Sequence, residues 1–223
     1  MGFIVAIDGP AGTGKGTITK RIAKRLGLIN IDTGATYRCV ALEVLNQNID
    51  LHNQEAIIQV AKTIHIDMKQ EKEQQQVYVN GENVTEKIRT PEVSKIVSQV
   101  SSIIEVRLQM VELQRKLAQG KDVIMEGRDI TTYVFPHADV KIYMDAKVEE
   151  RAKRRFLEYQ EKGLKQTYEE VLEDIKKRDK NDKEKELGAL KQAEDAIYVD
   201  TTYMTIPEVE EKIVAIIQKA KSN

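Results

Sequence analysis

The chain has 223 residues, 32 % of them charged, with 35 Lys and Arg against 36 Asp and Glu. That length suits one α/β domain with room for a small insert, and the near balance of charge argues against a global basic field for a nucleic-acid polymer. The single cysteine, Cys39, excludes an internal disulfide and a cysteine-cluster zinc site, and fits a reducing cytoplasm.

The N-terminus has no basic leader, its apolar run is too short for a signal peptide, and Ala6 stands where a myristoylation signal needs Ser or Thr. No apolar run reaches membrane-spanning length. The chain is therefore expected to start directly with folded structure and to use no membrane. Phe3 to Ile7, rich in β-branched residues and ended by Asp8-Gly9-Pro10, predicts a buried strand feeding a loop. From Lys15 to Leu26 the apolar residues Ile18, Ile22, Ala23 and Leu26 recur at helical spacing, and Gly27 closes the segment. Ile29 to Ile31 predicts a second strand, and Asp32-Thr33-Gly34 leads into a helix through Leu45. Asn80-Gly81 between short apolar stretches predicts a hairpin over 77–84. It would lie in a small antiparallel insert over about 63–90 that interrupts a core of about 1–62 and 91–223.

Thr90-Pro91 predicts the start of a helix that runs, with a break near Ser101-Ser102, to Gly120. Val123 to Met125 and Val140 to Met144 are short enough to be buried parallel strands. Ala196 to Val199 predicts the last strand, and Pro207 to about Lys219 the closing helix. Gln70 to Gln76 is polar and biased but too short for a disordered domain. The alternation predicts an α/β fold, a doubly wound parallel sheet flanked by helices.

Gly9-Pro10-Ala11-Gly12-Thr13-Gly14-Lys15-Gly16-Thr17, between that first strand and helix, carries the strongest chemical signal. Glycines let successive backbone N–H groups turn toward a polyphosphate, and the helix N-terminus adds its positive end. Lys15 supplies a point charge for the β- and γ-phosphates. The general pattern places Ser or Thr directly after the lysine, but here Gly16 intervenes before Thr17. Gly-Lys-Gly-Thr is the variant of nucleoside monophosphate kinases, and it leaves Thr17 as the candidate magnesium contact.

Asp32-Thr33-Gly34-Ala35-Thr36-Tyr37-Arg38 follows the second strand, where ligands bind in open α/β folds. Its hydroxyl, ring and guanidinium suit a second nucleotide, and a capped helix with a surface arginine is the alternative. Glu126-Gly127-Arg128-Asp129 ends another strand beside Asp8, as a functional pair or a plain ion pair. Arg178, Asp182 and Lys185 share one helix face. Arg151, Arg154 and Arg155 share another, and either face read alone suits solvent. The histidines His52, His65 and His137 are scattered and suggest no metal site, and Cys39 reads as a small core residue.

Together these segments resemble the bacterial-type cytidylate kinases over essentially the whole chain. The matching stretches are residues 9–17, 32–38, 98–100, 126–129 with 134–136, 149–155, 178–182, and 195–197 with Asp200. The resemblance implies a P-loop kinase that moves the γ-phosphate of ATP, with magnesium, onto CMP or dCMP. It implies that residues 9–17 bind ATP, that the insert closes over the monophosphate, and that residues of about 150–166 form a short helical lid. Arg38, Arg128 and Lys185 would grip the acceptor phosphate. Ser98, Arg107 and Asp129 would read the cytosine edge, Arg178 and Asp182 would serve the ribose side, and Thr33 and Tyr37 belong to the same acceptor segment. Lys15, Arg38, Arg128, Arg151 and Arg155 would offset charge on the moving phosphoryl group. The partners are then small nucleotides alone, acting on a cytoplasmic monomer.

Three positions depart from the family pattern. Lys185 stands where Arg is usual, replacing a bidentate fork by a point charge. Thr131 stands where Gly is usual, and Gly188-Ala189-Leu190-Lys191-Gln192 lacks the usual prolines. The local turns there are expected to differ. The rival readings are a P-loop kinase for another monophosphate or a metabolite hydroxyl, with Asp129 as base, and a non-catalytic nucleotide-binding module. A GTPase is disfavoured, because neither Asn-Lys-x-Asp nor Asp-x-x-Gly occurs.

Overall fold

The computed structural model describes residues 2–71, 74–161 and 163–222. Strand β1 (Ile4–Asp8) is buried at every position, because its apolar side chains are covered on both faces of the sheet. Helix α1 (Lys15–Leu26) starts at Gly14, whose left-handed φ of 89° turns the loop into the helix, and buries a stripe of Ile18, Ile22 and Ala23. Strand β2 (Ile29–Asp32) passes directly into α2 (Thr33–Asn46), where the Asp32 carboxylate caps by accepting from the Ala35 amide at 3.2 Å. Helix α3 (Gln54–Thr63), capped by Asn53, was not among the sequence expectations.

The insert is a three-stranded antiparallel sheet of β3 (Ile66–Glu71), β4 (Gln74–Val79) and β5 (Glu82–Asn83). Its long hairpin pairs β3 with β4 over the glutamine-rich tract, while the Asn80-Gly81 turn leads only into the two-residue β5. The turn chemistry was legible, but it marked the minor hairpin. Residues 72 and 73 of that tract lie outside the described residues.

Helices α4 (Pro91–Val100) and α5 (Ile104–Ala118) are separated as expected at the serine pair. Ser101 and Ser102 donate their hydroxyls to the Ser98 carbonyl at 3.1 and 2.8 Å. Strand β6 (Val123–Gly127) is followed by a π-helical turn, Ile130–Val134, then β7 (Val140–Asp145), α6 (Val148–Glu161), α7 (Tyr168–Lys183), β8 (Ile197–Asp200) and α8 (Ile206–Lys221).

The five-stranded sheet has the order β2-β6-β1-β7-β8, parallel throughout. One face packs on α1 and α8 through Val5, Ile7, Ile22, Ile142 and Ile213. The other meets α5 and the π-helical turn through Ala6, Ile31, Met125 and Ile130. A third apolar cluster joins α2 to α5 with the insert, and Cys39 lies in it, its thiol pushed up to about 12 by burial. Each fully buried Ile or Val in these clusters contributes about 1.5–3 kcal/mol. Among the described residues no helix is long and apolar enough to cross a membrane.

The register places strand ends together. Asp8 pairs across from Gly127, and Asp32 from Glu126. Three carboxylates and the Arg128-Asp129 pair thereby converge at one edge, beside the N-terminus of α1.

Candidate active site

A cavity of about 500 Å³ opens over the carboxyl ends of β1, β2 and β6. Its floor is the loop before α1. Lys15 is buried, and its ammonium folds over that loop, donating to the Gly9 and Pro10 carbonyls at 2.7 Å each and to Thr13 Oγ1 at 3.2 Å. Burial, then the Arg128 charge, depresses the Lys15 pKa. Burial, then Asp32, raises that of Glu126, which lines the same floor. A Cβ on Gly16 would lie 2.9 Å from Glu126 Oε1. The unusual glycine after the lysine therefore makes room for a carboxylate.

Asp8 lies under this floor and is wholly buried. It accepts from the Ile130 amide at 2.9 Å, and from the Thr131 amide and hydroxyl at 2.7 Å each. Burial still pushes it up to about 6. Thr131, one of the three departures, is thus accommodated: the π-helical turn aims its side chain at a carboxylate that needs donors.

Cations form the wall. Arg128 Nε donates to Asp182 Oδ2 at 2.8 Å, and Lys185 Nζ to Asp182 Oδ1 at 3.0 Å and Ser101 Oγ at 3.1 Å. Burial opposes ionisation of Asp182, but Arg128, Lys185 and Arg178 override it and hold the carboxyl below its usual range. Burial, then Arg128, pushes Arg178 down to about 10. Burial likewise lowers Arg38, whose Nη1 donates to Ser94 Oγ at 3.0 Å, with Arg89, Arg155 and Arg128 adding like charge. At the far end Arg107 and Asp129 form a buried ion pair. Arg107 also donates to the Ser101 carbonyl at 3.0 Å, and its guanidinium lies 5.2 Å from the centre of the Tyr37 ring.

The cavity brings together Ala11, Gly12, Thr13, Gly14, Lys15, Gly16, Thr17, Thr33, Tyr37, Arg38, Ser98, Arg107, Arg128, Asp129, Arg155, Arg178, Asp182 and Lys185. Gly9 and Pro10 lie at its base, presenting carbonyls to Lys15. The three arginines of α6 separate. Arg155 lines the cavity. Arg154 donates to the Thr201 and Thr202 carbonyls at 2.5 and 3.2 Å. Arg151, expected at the transferring phosphate, is buried outside the cavity. Its groups are taken by the Ala146 and Ala11 carbonyls at 2.9 Å each and by Asp179 at 2.7 Å. The reason is its place in the first turn of α6, which packs on the phosphate loop at Gly12.

Sequence reasoning missed Glu126, Asp32, Arg89, Ser101 and Lys20, which also line the cavity. Glu126 stood inside a string already singled out, at the strand end where ligands bind. Arg89, paired with Asp32 at 3.2 Å, lies at the end of the insert, after β5, with no pattern to mark it.

The family model for cytidylate kinase matches residues 5–219. The cytidylate kinase of Caldicellulosiruptor bescii is 50 % identical over 98 % of this chain and 97 % of its own. That of Caldicellulosiruptor saccharolyticus is 52 % identical over the same shares. That of Lactobacillus johnsonii is 52 % identical over 98 % of this chain and 95 % of its own. Among solved structures, an uncharacterized protein from Eubacterium ventriosum shares the fold with a TM-score of 0.52 at 12 % identity, over the full length of both chains.

Proposed function

The chain belongs to the cytidylate kinase family and is a nucleoside monophosphate kinase that phosphorylates CMP and dCMP with ATP as donor; we propose that the cations around its cavity carry the transfer by holding two polyanions in line. The observation behind this reading is the gathering of Lys15, Arg38, Arg128, Arg155, Arg178 and Lys185 around one cavity that reaches from the phosphate loop to the Arg107–Asp129 pair.

Residues 9–17 cradle the ATP phosphates, with Lys15 exchanging the Gly9 and Pro10 carbonyls for β- and γ-oxygens. The nucleophile is an oxygen of the acceptor phosphate. Its second pKa of about 6 leaves it mostly ionised at neutral pH, so no general base is required. Arg38, Arg128 and Lys185 hold that phosphate, and Arg155 meets the moving phosphoryl group as the lid and insert exclude water. Arg178 and Asp182 face the ribose, beside Thr33 and Tyr37.

Magnesium fits the donors at the floor. Thr17 offers a hydroxyl and Glu126 a carboxylate, a sparse set suited to an ion that keeps waters and takes phosphate oxygens. Among the described residues no cluster of three metal-ligating side chains exists to hold it alone. When bound, it neutralises phosphate charge.

For the base, Asp129 accepts from the cytosine amino group while Arg107 and Ser98 donate to its ring nitrogen and carbonyl. Uracil presents an oxygen to that carboxylate and is repelled. The enzyme works as a cytoplasmic monomer, which size-exclusion chromatography with light scattering checks.

Coupled ADP release with ATP, magnesium and CMP, dCMP, UMP, AMP, GMP or no acceptor tests the reading. Turnover confined largely to CMP and dCMP is expected. Turnover on a different acceptor would discard the base-reading residues, and ADP release without acceptor would discard the water-excluding closure.

A further inference from the structure

Gly188 lies between α7 and β8, outside the cavity wall, with a φ of 65°. A Cβ there would fall well inside contact with Asp129 Oδ2 and Arg107 Nη2, and 2.8 Å from Arg107 Cζ. The loop backbone is therefore seated directly on the back of the base-reading pair. Both ends of the loop are anchored: Lys185 Nζ on Ser101 Oγ at 3.1 Å, and the buried Leu190 through its amide on the Asp182 carbonyl at 2.7 Å. Under this cover Arg107 is 2 % exposed and Asp129 4 % exposed, although both line the cavity.

Discrimination between bases depends on the site's open donor and acceptor positions having no partner but the base. A wrong base is rejected because it leaves them unpaired, and a water that reaches them removes that cost. We propose that Gly188 is a positioning residue that sets base specificity: its missing side chain lets the loop seal the Arg107–Asp129 pair against water, so that the positions left open by their mutual ion pair and by the Ser101 carbonyl bond only to the base edge. The proposal rests on the base-reading role given above to Asp129. It also accounts for the loop's composition. Without the prolines usual in the family, the loop is fixed by Leu190 and Lys185 at its ends and by glycine at its point of closest approach.

The test measures kcat/KM for CMP and for UMP in Gly188→Ala, Leu190→Ala, Gly120→Ala and Asp129→Asn. Gly188→Ala should narrow the CMP-over-UMP ratio by about tenfold or more, as one hydrated polar contact allows. Gly120→Ala, with a φ of 71° and open space around its Cβ, carries the same backbone strain and should keep the parent ratio. Leu190→Ala frees the loop without adding a group at the pair, should also narrow the ratio, and decides the matter if Gly188→Ala does not fold. A parent-like ratio in both loop variants, with Asp129→Asn discriminating poorly, would overturn the proposal alone. A parent-like ratio in Asp129→Asn would remove the base-reading role itself and the proposal with it.

Discussion

Arg151 separates two readings of the lid. As a phosphate contact its loss would slow chemistry, whereas as a brace its loss would loosen the ATP site and the fold. The structure sets the expected size. Arg151 Nη1 and Asp179 Oδ2 are 2.7 Å apart, with side chains 7 % and 12 % exposed. At an effective dielectric of about 20 the bare attraction is about 6 kcal/mol, and desolvation of two ions offsets most of it. Removing one partner leaves that offset uncompensated, and Asp179 Oδ1 already has no hydrogen-bond partner among the described residues. Arg151→Ala should therefore cost about 3–5 kcal/mol of stability. Arg151→Ala with Asp179→Ala should cost less, about 2–3 kcal/mol, chiefly through the lost bonds to the Ala11 and Ala146 carbonyls and lost packing. Urea titrations of the three variants give the coupling, and ATP titration at saturating CMP gives the kinetic split. The brace predicts a KM for ATP raised about tenfold with kcat within a few-fold, about 1.4 kcal/mol of lost ATP binding. Arg155→Ala should do the reverse, because its ion pair among the described residues is a partly exposed i,i+3 contact with Glu158. Parent-like stability in Arg151→Ala, with kcat down a hundredfold and KM unchanged, would refute the brace.

Lys15→Ala should lower kcat/KM by about 10²–10³, or about 3–4 kcal/mol, as loss of one preorganised donor does; circular dichroism must show the variant folded. Gly16→Ala should gain none of the roughly 1 kcal/mol that Gly→Ala yields in an open helix, because its Cβ meets Glu126 Oε1 at 2.9 Å. The same variant should need more magnesium for half-maximal rate. Thr131→Val removes one of three donors to Asp8, so it should cost about 2 kcal/mol at pH 7.5, where the carboxylate is ionised, and about 1 kcal/mol at pH 5. The sign follows from Asp8 standing at about 6, above the ordinary 3.8: proton-linked stability is full below pH 4 and lost as pH rises through 6, and the variant raises that pKa further. A cost independent of pH in denaturant titrations would rule out a charged Asp8 as the acceptor.

What was legible in the sequence was mostly local. Ile18, Ile22 and Ala23 mark α1 by spacing alone, and the glycines before Lys15 mark the loop. The central parallel strands read correctly because both faces are covered, which leaves continuous apolar runs such as Val123-Ile124-Met125. The insert misled where tertiary pairing overrode propensity: Gln74, Gln75 and Gln76 are poor strand formers, yet they form β4 against β3. Gln75 also accepts from the Asp32 amide at 3.5 Å and donates to the Asn30 carbonyl, covering the open edge of β2. No window along the chain contains that information. Arg151 shows the same limit at the site. Helical spacing grouped it with Arg154 and Arg155, but which of three neighbouring guanidiniums enters the cavity depends on the loop that α6 packs against.

The site is also where the fold is least comfortable. Burial depresses Lys15, Arg38, Arg178 and Lys185, and like charges nearby add to the shift in each. A chain optimised for stability alone would not gather these groups under apolar cover. Asp182, satisfied twice over by Arg128 and Lys185, keeps two of the cations in place without cancelling the group. On the proposed reading, phosphate oxygens would supply the compensation that the protein withholds. In the proposed mechanism the transferring phosphoryl group, flanked by donor and acceptor oxygens, would engage the cluster from both sides at once. Complementarity to that species rather than to either nucleotide would turn an electrostatic cost of folding into a lower barrier.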